Sequence, residues 1–96
     1  MGVIMKIKLN KESIIALTIL TEDDQDKFVR LKVLSFGCGK PALGLESDEK
    51  KLDDLVEYID GITFVVDSSS KIYFEDIEIL YDPETYVGDG FYIRRL

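Results

Sequence analysis

The alternation of apolar and polar positions divides the chain into short segments. Residues 5–9 (MKIKL) alternate with the period of a short strand. Asn10 follows, with a side-chain oxygen suited to capping a helix. From residue 11 to about residue 20, pairs such as Ile14/Leu17 and Ile15/Ile19 fall at helical spacing. TEDDQDK (21–27) is a polar, acidic loop. Residues 28–36 (FVRLKVLSF) read as a strand, with Val29, Leu31 and Val33 on one face and Arg30 and Lys32 on the other. A sharp turn over 37–40 leads into a returning strand over 41–46 (PALGLE). The stretch 47–54 (SDEKKLDD) reads as a charged turn or a single helical turn. Strands over 55–59 and 62–66 flank Asp60-Gly61, a strong hairpin signal. A turn or short helix opens at 67–70. Strands over 76–81 and 90–93 complete the set, with a tight turn at Asp89-Gly90.

The pattern predicts a mostly β fold, all-β to α+β. Short mixed strands should form a layered or barrel-like core with one N-terminal helix. No linker, repeat or low-complexity tract interrupts it, so residues 1–96 are expected to form a single domain. A chain this short buries only about two-thirds of its unfolded surface, and pairing with a second copy would add stability.

Charge narrows the range of partners. A formal charge of −7 and scattered basic residues argue against nucleic acid and anionic membrane as partners. No apolar run approaches a membrane span. The first five residues are too short and too weakly basic for a secretory signal, and Met5 is a second candidate start codon. One cysteine without a disulfide framework suits a reducing cytoplasm. The absence of histidine removes the usual general base and the commonest zinc ligand, which argues against most hydrolase chemistry, and the chain is not expected to be an enzyme.

The candidate chemistry centres on Cys38, between Gly37 and Gly39 and two residues before Lys40. Backbone N–H groups in such a turn and the nearby lysine favour thiolate over thiol. A thiolate at an exposed turn can bind soft metals or attack an electrophile. The plainer reading is a small residue that fits a glycine turn. Glu75, Asp76, Glu78, Asp82 and Glu84 cluster late in the chain, and Asp23, Asp24 and Asp26 follow the helix. None of these spacings matches a calcium loop, and they read as a solvated acidic face. The turns GCG and GDG lack the spacing of a phosphate-cradling loop. The tyrosines and phenylalanines read as core and interface filling.

The order of these pieces resembles the HesB-like family of A-type iron–sulfur cluster carriers. The strand VRLKV (29–33) leads to the glycine-flanked cysteine of FGCGKPALGLE, similar to the family's G-C-x-G turn and returning strand. DGITFVVDSSSKIYF (60–74) resembles the family's D-G-V-x-V-V-V-D segment, and IEILY followed by GDGFYI resembles its next strand and G-F ending. The resemblance implies a HesB-like fold and a role in iron–sulfur cluster assembly, with Cys38 as the metal and cofactor ligand. Two departures qualify it. No cysteine follows Cys38, where the family carries a Cys-x-Cys motif, and Leu80 stands where an aspartate is usual. A cluster takes about four thiolate or equivalent ligands. A homodimer would supply two copies of Cys38, with the rest drawn from carboxylates, glutathione or a partner protein.

Three functions follow as expectations. The first is a cytoplasmic accessory or carrier in iron–sulfur biogenesis that binds iron or a cluster through Cys38 across a homodimer, and meets assembly or recipient proteins. The second is a non-catalytic interaction module that kept the HesB-like fold but lost cluster binding. The third is a thiol-redox or sulfur-accepting protein that uses Cys38 alone.

Overall fold

The computed structural model describes residues 5–23, 26–37 and 39–96. Among them, the elements run β1 (Lys6–Leu9), α1 (Lys11–Thr21), β2 (Lys27–Gly37), β3 (Lys40–Glu49), β4 (Asp54–Ile59) and β5 (Ile62–Asp67). A 3-10 turn (Ser68–Tyr73) then leads into β6 (Asp76–Tyr81) and β7 (Phe91–Arg95). The fold is mostly β with one early helix, as the alternation predicts.

The strands form two sheets, one ordered β3-β2-β5-β4 and the other β1-β6-β7. Each sheet holds one parallel pair, β2 with β5 and β1 with β6, and its other neighbours are antiparallel. Register explains the core. Val29 lies opposite Phe64 and Leu31 opposite Val66 in one sheet, while Ile7 faces Ile77 and Ile79 faces Ile93 in the other. All eight are buried in one cluster, joined by Leu17 from the helix. Burying each such side chain contributes about 1.5–3 kcal/mol. The sheets approach along β3 and β7 without a shared ladder, which gives a layered body part-way to a barrel.

Asn10 starts the helix as the sequence suggests. Its Oδ1 accepts the Ser13 amide at 2.8 Å, and Ser13 Oγ accepts the Asn10 amide at 2.9 Å. This reciprocal cap satisfies backbone donors with no partner in the first turn, and accounts for a buried serine. The Asp60-Gly61 hairpin also forms. Asp60 (φ 53°) and Gly61 (φ 83°) both occupy the left-handed region that a two-residue turn of matching twist requires.

Two local readings sharpen. The polar face of β2 is covered at Arg30, which is buried and paired with Asp48 and Asp54, so charged partners, not water, satisfy its guanidinium. The turn expected over 47–54 is confined to residues 50–53, because β3 continues to Glu49 and β4 begins at Asp54. Pairing with β2 holds residues 47–49 extended, from Lys27 opposite Glu49 to Val29 opposite Ser47.

β2 is interrupted by a bulge between Val33 and Ser35. A bulge bends its strand and sharpens the twist, and residues 34–37 beyond Val33 are exposed. Leu34, left out of the pairing, packs over Gly44, where a Cβ would lie 2.7 Å from Leu34 Cδ1. The end of the β2–β3 hairpin therefore stands clear of the core.

Candidate functional site

At that hairpin end, Gly37 pairs with Lys40. Cys38 lies outside the described residues, as do Met1 and Asp24. The two glycines beside it differ in role. Gly37 is a strand residue, whereas Gly39 has φ 81° and so uses the freedom that only glycine has without strain.

The neighbouring surface is basic and aromatic. Lys40, Tyr92, Arg94 and Arg95 line a shallow groove of about 310 Å³ between the start of β3 and the end of β7. Arg94 Nε is held by Glu78 at 2.7 Å. The Arg95 guanidinium stands 5.9 Å from the centre of the Tyr73 ring, which meets Phe36 edge-on at 5.5 Å. Lys40 and Arg95, with the Glu78-paired Arg94, thus share one groove in a chain of charge −7. Such a surface favours thiolates and other anions. No carboxylate is among its described lining residues.

Of the late acidic residues, Glu75, Glu78 and Asp82 serve local structure. Glu75 pairs with Lys71 at 2.7 Å. Asp82 accepts the Thr85 hydroxyl at 2.8 Å and the Glu84 amide at 3.0 Å, and these bonds, the hydroxyl first, hold its carboxyl below the usual range. Among the described residues, no three histidine, cysteine or acidic side chains gather as a metal site.

A second depression was not anticipated. A groove of about 800 Å³ runs between α1 and the far end of β6 and β7, with Ile15, Ile19, Leu20, Leu80, Tyr86 and Phe91 among its apolar walls. Ile15 and Ile19 are 52% and 57% exposed, because the helix turns Ser13 and Leu17 to the core instead. The signal was legible: five large apolar residues between 14 and 20 exceed what one buried helix face uses.

No family model matches the chain, and no curated protein sequence matches it significantly. Solved structures do. The crystal structure of Escherichia coli SufA, a protein involved in biosynthesis of iron–sulfur clusters, aligns with a TM-score of 0.70 at 20% identity, over 94% of this chain and 80% of that one. A solution NMR structure of a protein from Aquifex aeolicus aligns with a TM-score of 0.69 at 22% identity, over 100% of this chain and 97% of that one. The fold is HesB-like. The basic groove takes Lys40 from the start of β3 and lies at the C-terminal end of β7, and the apolar groove lies at the other end of that strand.

Proposed function

We propose that this protein is a non-enzymatic accessory or carrier in iron–sulfur cluster biogenesis, taking up iron or a cluster through Cys38. The observation that carries the reading is the likeness of its fold to SufA, together with a Gly-Cys-Gly sequence between two paired strands. Iron or cluster is cargo here. The cations at Lys40 and Arg95 favour a thiolate at residue 38 and the net negative charge of a thiolate-bound cluster. One cysteine per chain is too few for a cluster, so two copies of Cys38 in a homodimer would contribute, with glutathione or a recipient protein completing the set. The setting is the cytoplasm, where a lone thiol stays reduced, and the partners are assembly or recipient proteins. Residues 1–96 act as one domain.

Anaerobic reconstitution with iron and sulfide tests this directly. The reading expects visible absorption and bound iron in the protein, and loss of both in Cys38→Ser. Colourless protein, or an unchanged Cys38→Ser, refutes it. A second reading is favoured by the single cysteine itself: an interaction module that keeps the fold without the cargo. Its partners would survive Cys38→Ser and dissociate as salt rises.

A further inference from the structure

We infer that the groove between α1 and the β6–β7 end docks a partner polypeptide segment that is apolar on one side and rich in lysine or arginine on the other. The groove floor is apolar and its helix wall is uncovered. Ile15, Ile19 and Leu20 remain exposed on α1, although their burial would stabilise the chain. From Glu12 to Leu20 this wall extends about 12 Å at the rise of an α-helix. That length and a volume of about 800 Å³ suit two turns of an amphipathic helix anchored by residues three and four apart.

The rim selects the partner's charge. Glu12, Asp82 and Asp89 stand at the groove, and no lysine or arginine is among its described lining residues. None of the three takes part in an ion pair among the described residues. Asp82 and Asp89 use their oxygens on their own loop, through Thr85 and the Phe91 amide, which fixes the two carboxylates at the groove's edge. A second copy of this chain fits this groove poorly, because the same face would set Glu12, Asp82 and Asp89 against their own copies. A cationic amphipathic segment satisfies both the floor and the rim. The inference does not rest on cargo binding by Cys38, whose flanking residues lie near the opposite end of β7.

The test uses isotope-labelled full-length protein and a synthetic helical peptide of leucine and lysine with its leucines on one face. NMR shifts should concentrate on Ile15, Ile19, Leu80 and Tyr86. Affinity should fall at least tenfold in Ile15→Gln/Ile19→Gln, whose positions are exposed enough to leave folding intact, as a thermal melt would verify. Leu52→Gln, at an exposed apolar site on the turn after β3, should bind within twofold of the parent. Glu12→Gln/Asp89→Asn should bind more weakly and lose much of its salt dependence between about 0.1 M and about 1 M, where the Debye length drops from about 10 Å to about 3 Å. The inference is overturned if shifts spread over the whole acidic surface, if Ile15→Gln/Ile19→Gln binds normally, or if a leucine–glutamate peptide binds equally well. It is also overturned if sedimentation shows a dimer that Ile15→Gln/Ile19→Gln dissociates. Iron uptake by Cys38 is measured separately, so either reading can fail alone.

Discussion

Asp54 grips Arg30 with both carboxylate oxygens, at 2.9 Å to Nη1 and 2.5 Å to Nη2. Arg30 Nε reaches Asp48 at 2.6 Å, and Nη2 also donates to the Glu49 carbonyl at 2.9 Å. β3 and β4 are the two edges of the four-stranded sheet, and the chain crosses between them in residues 50–53. Arg30, on inner strand β2, holds both ends of that crossing. The arginine is a staple inside the sheet's architecture and not a free cation for a ligand.

Breaking the staple should be costly, since the Arg30 and Asp54 side chains are only 8% and 3% exposed. Arg30→Ala leaves the Asp54 carboxylate buried without its counter-charge, and should destabilise by about 3–5 kcal/mol in urea unfolding. Asp54→Ala should cost less than that, because Arg30 keeps Asp48 and the Glu49 carbonyl. Asp48→Ala should cost less, because its side chain is 27% exposed and water can replace it at the rim. Arg30→Met combined with Asp54→Leu should recover much of the loss. A double variant as unstable as the worse single variant would contradict this account.

The same pair sets an acid limb. Hydrogen bonding from Arg30, outweighing the cost of burial, lowers the Asp54 carboxyl to about 2 from its ordinary 3.8. A lowered folded-state value means that the folded chain binds fewer protons than the unfolded one. Its contribution is therefore complete above about pH 4 and is lost as pH falls toward 2, with a magnitude of roughly 2 kcal/mol. Asp48, lowered chiefly by Arg30, acts with the same sign. Urea midpoints from pH 7 down to pH 2 should drop in this window, and the drop should be shallower in Asp54→Asn. Equal slopes in the two proteins would remove Asp54 as its source.

Alternation located the strands because each buries one face, and the period of two survives even in short segments. It said nothing about which strands meet. Ile7 opposite Ile77 and Val29 opposite Phe64 are parallel pairings between distant segments, set by packing of the whole core. The burial of Arg30 was not legible for the same reason. Its position in the alternation is polar, and the carboxylates that bury it lie 18 and 24 residues along the chain. The bulge at Leu34 left no turn residue to announce it, and only the pairing of Val33 with Leu43 and Ser35 with Ala42 exposes it. For the site, local sequence singled out Cys38, Gly39 and Lys40. The arginines came from β7, whose approach to β3 no local pattern encodes.

Gly61 offers a clean test of backbone strain. Its φ of 83° is disfavoured for any residue with a Cβ, yet a Cβ there would meet nothing within 4 Å. Gly61→Ala should therefore cost about 1–2 kcal/mol through the dihedral alone. Gly37→Ala, at an open strand position without positive φ, should stay within about 0.5 kcal/mol of the parent by the usual range for surface changes. Comparable losses in the two variants would show that the positive φ is not what costs.

The basic groove should tune the cysteine. Lys40 is two residues from Cys38, and a unit charge about 8 Å away in water shifts a neighbouring ionisation by roughly 0.5 kcal/mol, or about 0.4 pH units before screening. A cation favours the thiolate, so its loss must raise the pH at which the thiol ionises. Lys40→Gln should move the midpoint of iodoacetamide alkylation upward by a few tenths of a pH unit, and Arg95→Gln should move it the same way. Both displacements should shrink at about 1 M salt, where the Debye length is about 3 Å. If the two variants alkylate with the parent's pH profile at low salt, the cations at this end of the hairpin do not act on the sulfur, and the electrostatic part of the carrier proposal fails with them.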